Sequence, residues 1–249
     1  MSGHSKWSSI KRAKGANDAK RGALFTKLSR EIILAARQGG ADQGINFKLR
    51  LAVQRAKAAN MPNDNIERAI AKGGGAGSEE QLEEIIYEGY GPGGTAILVS
   101  ALTDNRNRTV AEVRHRFSRA GGNLGETGSV GWQFAARGLI TLPTNGHDPD
   151  EIALRAIDAG ADDVEVQGDT IEVSTGPADL EPVRKALEAG GLEIENADFA
   201  MVPTVTIELD DRTAHQALRL LEALEDLEDV QRVYSNAEFS DGALESYAG

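Results

Sequence analysis

From Gly138 to Phe199 the apolar residues change period in an order that few folds accommodate. GLITLP (138–143) reads as a strand, and Asp148 and Pro149 then open a helix carrying Ile152, Leu154 and Ile157. DVEVQ and TIEVS flank a two-residue Gly168-Asp169 turn, a hairpin signal. A helix from Ala178 to Ala189 and the strand LEIENADF close the series. Strand-helix-strand-strand-helix-strand is the split βαβ, ferredoxin-like unit.

The flanks carry two halves of a similar pattern. Ala96–Leu102 (AILVSAL) suits a strand; Thr109 and Glu112 stand at capping-box spacing before a stripe of Val110, Val113, Phe117 and Ala120 that ends at Gly121-Gly122. Val130, Trp132 and Phe134 alternate as a further strand. Beyond the central unit come TVTIEL (204–209), a helix from Thr213 to Asp226 and a strand from Val230 to Tyr234. The two halves are expected to share one sheet, with the central unit inserted into it.

The start of the chain is helical in pattern. From Asp18 to Arg37, Leu24, Phe25, Leu28, Ile32, Ala35 and Ala36 share a face opposite Lys20, Lys27, Arg30 and Arg37, with Leu34 as the exception; Gly39-Gly40 ends the segment. A second helix, Asn46 to Asn60, sets Phe47, Leu51 and Ala58 on one side and stops at Pro62. A third has Asp64 and Glu67 at capping-box spacing, then Ile66, Ala69 and Ile70, and stops at Gly73. GGGAGS (73–78) has the composition of a short flexible tether. The expected fold class is α+β in three domains: a small three-helix N-terminal domain at 1–76, followed by two ferredoxin-like α/β domains, one inserted into the other. The discontinuous one spans 77–134 plus 201–240 and the inserted one 135–200.

Charge divides the chain at the same tether. The 249 residues carry a net charge of -12, yet residues 1–75 hold 15 Lys and Arg against 5 Asp and Glu, net +10, and the remainder 12 against 34, net -22. Exposed charges are screened beyond about 8 Å at physiological salt, so a polyanion approaching the head meets mainly its local positive field. A nucleic acid is the expected partner, and a basic head docked on its own acidic body is the alternative. An anionic membrane ranks below nucleic acid, because the apolar stripe of the first helix is needed for the core of the head. The absence of cysteine fits a reducing compartment, and no apolar core of a secretory signal stands near the start; the expected location is cytoplasmic.

Catalytic and cofactor motifs were tested against their context. GYGPGG (89–94) matches G-x-G-x-x-G in letters, but it precedes a strand and contains Pro92, so it reads as a turn rather than a dinucleotide loop. His4, His115, His147 and His215 show no metal-ligand spacing. The pairs Glu79-Glu80 and Asp162-Asp163 are adjacent residues that point apart, and the run from Glu222 to Asp229 reads as the solvated face of a helix. No G-x-S-x-G elbow is present. The expectation is a non-enzyme with no cofactor and no metal.

Two basic features remain. The opening stretch MSGHSKWSSIKRAKGANDAKRG combines small residues, one stacking surface and a dense set of cations. The candidate nucleic-acid-binding residues there and in the first helix are His4, Lys6, Trp7, Lys11, Arg12, Lys14, Lys20, Arg21, Lys27, Arg30 and Arg37. The second feature is TDNRNRT (103–109), where Arg106 and Arg108 stand at a helix start, followed by Arg114, Arg116 and Arg119. Guanidinium groups beside free helix N–H groups suit phosphate or carboxylate. The alternative is that these arginines pair with Asp104, Glu112 or the acidic inserted domain.

Together, GHSKW (3–7), NMPNDNIERAI (60–70), YEGYGPGG (87–94), LTDNRNRT (102–109) and GGNLGETGSVGWQF (121–134) resemble the YebC/PmpR family, which includes the mitochondrial translational activator of cytochrome c oxidase subunit I. The resemblance runs through most of the chain and is loosest in the inserted domain and the tail. It implies a three-domain, non-enzymatic DNA-binding transcriptional regulator. The competing implication is a ribosome-associated translation factor that eases difficult peptide stretches. The partner is therefore duplex DNA or ribosomal RNA, with the ribosome itself as a further candidate and no membrane; the oligomeric state stays open, a monomer included. No helix-turn-helix with a base-reading recognition helix is apparent, and phosphate-led binding suits structured RNA as well as duplex DNA.

Overall fold

The computed structural model describes residues 18–75 and 82–248. Three helices come first: α1 (Asp18–Gly39), α2 (Phe47–Ala58) and α3 (Asn63–Gly73). They close around one core containing Leu28, Ile32, Ile33, Leu49, Ala52, Val53, Ala56, Met61, Ile66 and Ala69. Asn46 starts α2 as a cap: its Oδ1 accepts from the Leu49 N–H (3.1 Å) while its Nδ2 donates to the carbonyls of Ala35 (2.8 Å) and Gly40 (2.7 Å). One side chain thus ends α1 and begins α2.

Some helical detail departs from the pattern. Leu24 is exposed, and Ala58 lies outside the core, whose α2 face is set by Leu49, Ala52, Val53 and Ala56. Asp64 does not cap α3; Pro62 occupies the cap position without a side-chain bond. Gly73 belongs to α3 rather than to a tether, and a Cβ there would stand 2.4 Å from the Ile33 carbonyl oxygen and 2.7 Å from the Ala36 Cβ. Close approach of α3 to α1 selects glycine at this position. Residues 76–78 of the GGGAGS stretch lie outside the described residues.

The following elements are β1 (Glu83–Tyr90), β2 (Ala96–Thr103), α4 (Arg106–Arg119), β3 (Asn123–Leu124), β4 (Phe134–Pro143), α5 (Pro149–Asp158), β5 (Asp163–Gln167), β6 (Thr170–Thr175) and α6 (Leu180–Ala189). The last are β7 (Asn196–Pro203), β8 (Ile207–Glu208), α7 (Asp211–Glu225), β9 (Val230–Ser235), β10 (Ala237–Glu238) and α8 (Asp241–Ala248). They form a mixed α+β protein: helices first, then two sheet-containing parts. Packing separates a compact unit at 134–202 from the residues on either side of it.

In the 134–202 unit the sheet order is β5-β6-β4-β7. This is the ferredoxin-like order for a strand-helix-strand-strand-helix-strand chain. Along β4 and β6, Ile140, Leu142, Ile171 and Val173 are fully buried and alternate with half-exposed neighbours, as a sheet covered on one face requires. Asp148 caps α5 through the Asp150 N–H (3.0 Å), with Pro149 in the first turn.

In the other unit the four-stranded order is β3-β1-β2-β9. β2 pairs with β9 (Val99 opposite Val233), so sequence on both sides of the insertion does build one sheet. Its composition is unlike the expected one. Val130–Gln133 forms no strand; a 3-10 turn spans Gly131–Gln133, and Phe134 starts β4 of the neighbouring unit. The strand beside β2 is β1, antiparallel to it from Glu83 opposite Thr103 to Tyr90 opposite Ala96. Within 204–209 only Ile207–Glu208 is strand, paired in parallel with β10. α4 and α7 cover this sheet with Val113, Phe117, Ala214, Leu218, Leu221 and Leu224 in one core. In GYGPGG, Gly89 and Tyr90 end β1 and residues 91–94 make the turn to β2, with Gly93 and Gly94 at positive φ.

Gly73→Ala tests the helix contact in the head. In an open helix this exchange stabilises by about 1 kcal/mol, but here the methyl meets a carbonyl of α1, so overpacking of about 1–3 kcal/mol wins. Denaturant unfolding of the full chain should show a net loss of stability.

Candidate nucleic-acid interface

TDNRNRT runs from the end of β2 into the first turns of α4. Thr109 is not the cap. Asn105 is, with its Oδ1 accepting from the Arg108 N–H at 3.1 Å, and Thr109 instead turns inward and is fully buried. What it meets is Asp229, the residue before β9. Asp229 Oδ2 accepts from Thr109 Oγ1 (2.6 Å), Thr103 Oγ1 (3.0 Å) and Arg108 Nη2 (2.7 Å). Its Oδ1 accepts from Arg30 Nη1 of α1 at 2.7 Å. Asp229 is 2% exposed, which overturns its reading as part of a solvated acidic face.

Burial alone would raise the Asp229 pKa, but hydrogen bonds from Thr109, Arg108 and Thr103 and the Arg108 charge outweigh it and hold the carboxyl below its ordinary range. The position of Asp229 was the missed residue of this site. The available signal was its setting between Leu227 and Val230, both buried, where the acidic run gives way to a strand.

Around Asp229 the head is fastened to the body. Arg30 also bonds the Glu228 carboxylate (Nη2 to Oε1, 3.0 Å) and carbonyl (3.2 Å), Lys27 Nζ donates to the Glu225 carbonyl, and Arg232 Nη2 stands 3.5 Å from Glu31 Oε1. Lys27 and Arg30 are therefore engaged within the protein, in the manner of the docking alternative. Arg21 and Arg37 are exposed on the same helix, as are Lys48 and Lys57 on α2 and Arg68 on α3. His4, Lys6, Trp7, Lys11, Arg12 and Lys14 lie outside the described residues, and Lys20 is described only as part of α1. Arg108 is divided between Asp104 (2.9 Å) and Asp229, while Arg106 is exposed at the first position of α4.

A second buried carboxylate shapes the GETGSVGW loop. Glu88 on β1 accepts from the N–H groups of Gly128 (2.7 Å), Val130 (2.8 Å) and Gly131 (2.7 Å). Burial works to raise its pKa, and the three backbone donors together lower it further than burial raises it. Trp132, 72% exposed, is presented at the end of this loop with its Nε1 on the Ser129 carbonyl (3.2 Å).

A helical, cation-rich head is bolted by a carboxylate to a sheet domain, with a ferredoxin-like unit inserted in that domain, and among the described residues no helix is long and apolar enough to cross a membrane. Residues 5–76 match the model described as the TACO1/YebC protein N-terminal domain, and residues 82–237 match the TACO1/YebC second and third domain. The chain belongs to the TACO1/YebC family. A probable transcriptional regulatory protein of Dehalococcoides mccartyi is 55% identical over 247 residues, covering 99% of this chain and 98% of that protein. Another so named, from Thermomicrobium roseum, is 56% identical over 240 residues, 96% and 97% of the two chains. The crystal structure of a conserved hypothetical protein from Aquifex aeolicus is similar with a TM-score of 0.82 and 48% identity, covering 90% of this chain and 93% of that one.

Replacing Asp229 with Asn leaves Arg30 and Arg108 without their shared counter-charge. Arg30 and Arg108 are partly exposed and each keeps a second acid, Glu228 and Asp104, so the cost is that of hydrogen bonds to a charged group, about 1.5–3 kcal/mol, and chemical denaturation at neutral pH should show a loss of that order. Because the folded-state pKa is depressed, the Asp229 contribution is complete above the unfolded aspartate value of about 3.9 and vanishes as pH falls through the lower folded value. The stability gap between wild type and D229N should therefore close in acid. For Glu88→Gln, hydrogen exchange at Gly128, Val130 and Gly131 should accelerate; unchanged protection would show that the carboxylate does not hold the loop.

Proposed function

We propose that the chain is a non-enzymatic, nucleic-acid-binding regulator of gene expression, acting on duplex DNA as a transcriptional regulator of the YebC/PmpR type. The charge division carries this reading: a +10 head precedes a -22 remainder. Internal pairing of Lys27 and Arg30 leaves Arg21, Arg37, Lys48, Lys57 and Arg68 exposed on the head. The names of the relatives support regulation of transcription as its setting. The cations of the opening stretch, Lys6, Lys11, Arg12 and Lys14, together with Lys20, Arg21 and Arg37, are the phosphate contacts in this reading, with Trp7 as a stacking surface.

The acidic remainder repels a polyanion wherever its acids face outward, so contacts concentrate on the head. Binding of a labelled duplex should weaken steeply with salt, and Lys11→Ala/Arg12→Ala/Lys14→Ala should reduce the slope of log K against log salt by about 2.7, at about 0.9 per lost phosphate contact. Footprinting should reveal a preferred duplex. Uniform weak binding to every duplex, combined with co-sedimentation with ribosomes that the triple change abolishes, would overturn the transcriptional role in favour of ribosomal RNA and translation.

A further inference from the structure

The outer face of α4 does not match its surroundings. Beyond residue 75 the chain has 12 Lys and Arg against 34 Asp and Glu, yet Arg106–Arg119 holds five arginines and one acid, Glu112. The buried residues of α4 are Thr109, Val113 and Phe117, so none of the arginines is part of the core. Arg108 is matched by Asp104 and Asp229. Arg106, Arg114 and Arg119 are exposed, and among the described residues none of the three forms an ion pair within its own unit.

Helix electrostatics explains only part of this set. Arg119 lies in the last turn, where a cation complements the helix dipole by about 0.3–1 kcal/mol. Arg106 stands at the opposite end, where a cation is opposed by the dipole, and Arg114 lies between the two ends. Across the exposed face Asn107, Ala111 and Ser118 are short, with Arg114 on one flank and His115 and Arg119 on the other by helical spacing. An extended polyanion can approach this face closely and meet guanidinium groups on both sides.

We propose that the outer face of α4 is a second contact for the nucleic-acid phosphate backbone, made by Arg114 and Arg119 and separate from the head. Arg106 is not part of it, since by helical spacing it falls on the side of buried Val113 and Phe117. The inference rests on the nucleic-acid reading above. It assigns the contact to phosphate rather than to bases, because two guanidinium groups flank a strip of short side chains.

The test uses the full chain, a labelled duplex and a labelled structured RNA, with salt raised from about 50 to about 200 mM. Arg114→Gln/Arg119→Gln should lower the slope by about 1.8, so that wild type loses about twelvefold more affinity than the variant over this range. The corresponding double lysine variant should retain the wild-type slope. An unchanged slope in the glutamine variant, with the Lys11/Arg12/Lys14 variant still defective, overturns the α4 contact and leaves the head reading intact. An equal drop in the lysine variant also overturns it, since charge is then not what α4 supplies. Absence of salt-dependent binding by the wild type removes both readings together.

Discussion

Asp229 is the constraint on which the arrangement of head and body depends. A carboxylate 2% exposed to water is stable as a charge only if its partners replace the lost hydration. Four side chains do so, from three separate elements: Arg30 of α1, Thr103 of β2, and Arg108 and Thr109 of α4. The Leu102 N–H meanwhile donates to the Asp229 carbonyl at 2.8 Å, which ties the residue to β2 by its backbone as well. Displacing either arginine removes counter-charge, and displacing either threonine leaves a buried carboxylate oxygen short of a donor. This explains why the TDNRNRT segment carries two threonines and an arginine in that spacing: Thr103 and Thr109 supply neutral donors and Arg108 the charge.

Glu88 solves the same problem with different donors. Its carboxylate lies on the buried stretch of β1, residues 87–89, and takes three backbone N–H groups from the 128–131 turn. The loop is thereby shaped by its own main chain, and the side chains within it remain free of that duty. Asp229 fixes the relation of one structural part to another, whereas Glu88 fixes a loop against the strand beneath it. In both cases desolvation would raise the carboxyl pKa and hydrogen bonding reverses the direction.

The inserted unit was legible because each of its elements carries a local signal: Asp148-Pro149, Gly168-Asp169 and alternating β-branched residues. The discontinuous sheet was less so. EEIIYEGY has acids at Glu83, Glu84 and Glu88 that mask its strand character, and its pairing with β2 was visible only in three dimensions. TVTIEL has strong strand propensity, yet only two of its residues pair, since β1 already fills the place beside β2. Thr109 with Glu112 looked like a capping box because both residue types and spacing fit, but the buried carboxylate of Asp229 competes for the Thr109 hydroxyl and wins. Of the site, the cations were legible as residue types and their pairing was not, because Arg30 and Asp229 are almost two hundred positions apart in sequence.

Net charge alone would have suggested that an acidic chain avoids polyanions. The distribution of ion pairs gives a more specific picture. Lys27 and Arg30 are turned toward residues 225–229, so the head is joined to the body by these two cations, while Arg21, Arg37, Lys48, Lys57 and Arg68 are exposed. At α4 the same division recurs within a single helix: Arg108 is anchored by Asp229, and Arg106, Arg114 and Arg119 are exposed. Asp229 thus stands between the two basic surfaces and accepts one arginine from each. A buried acid at that position lets two clusters of like charge lie in one unit, because each contributes one guanidinium to a shared counter-ion.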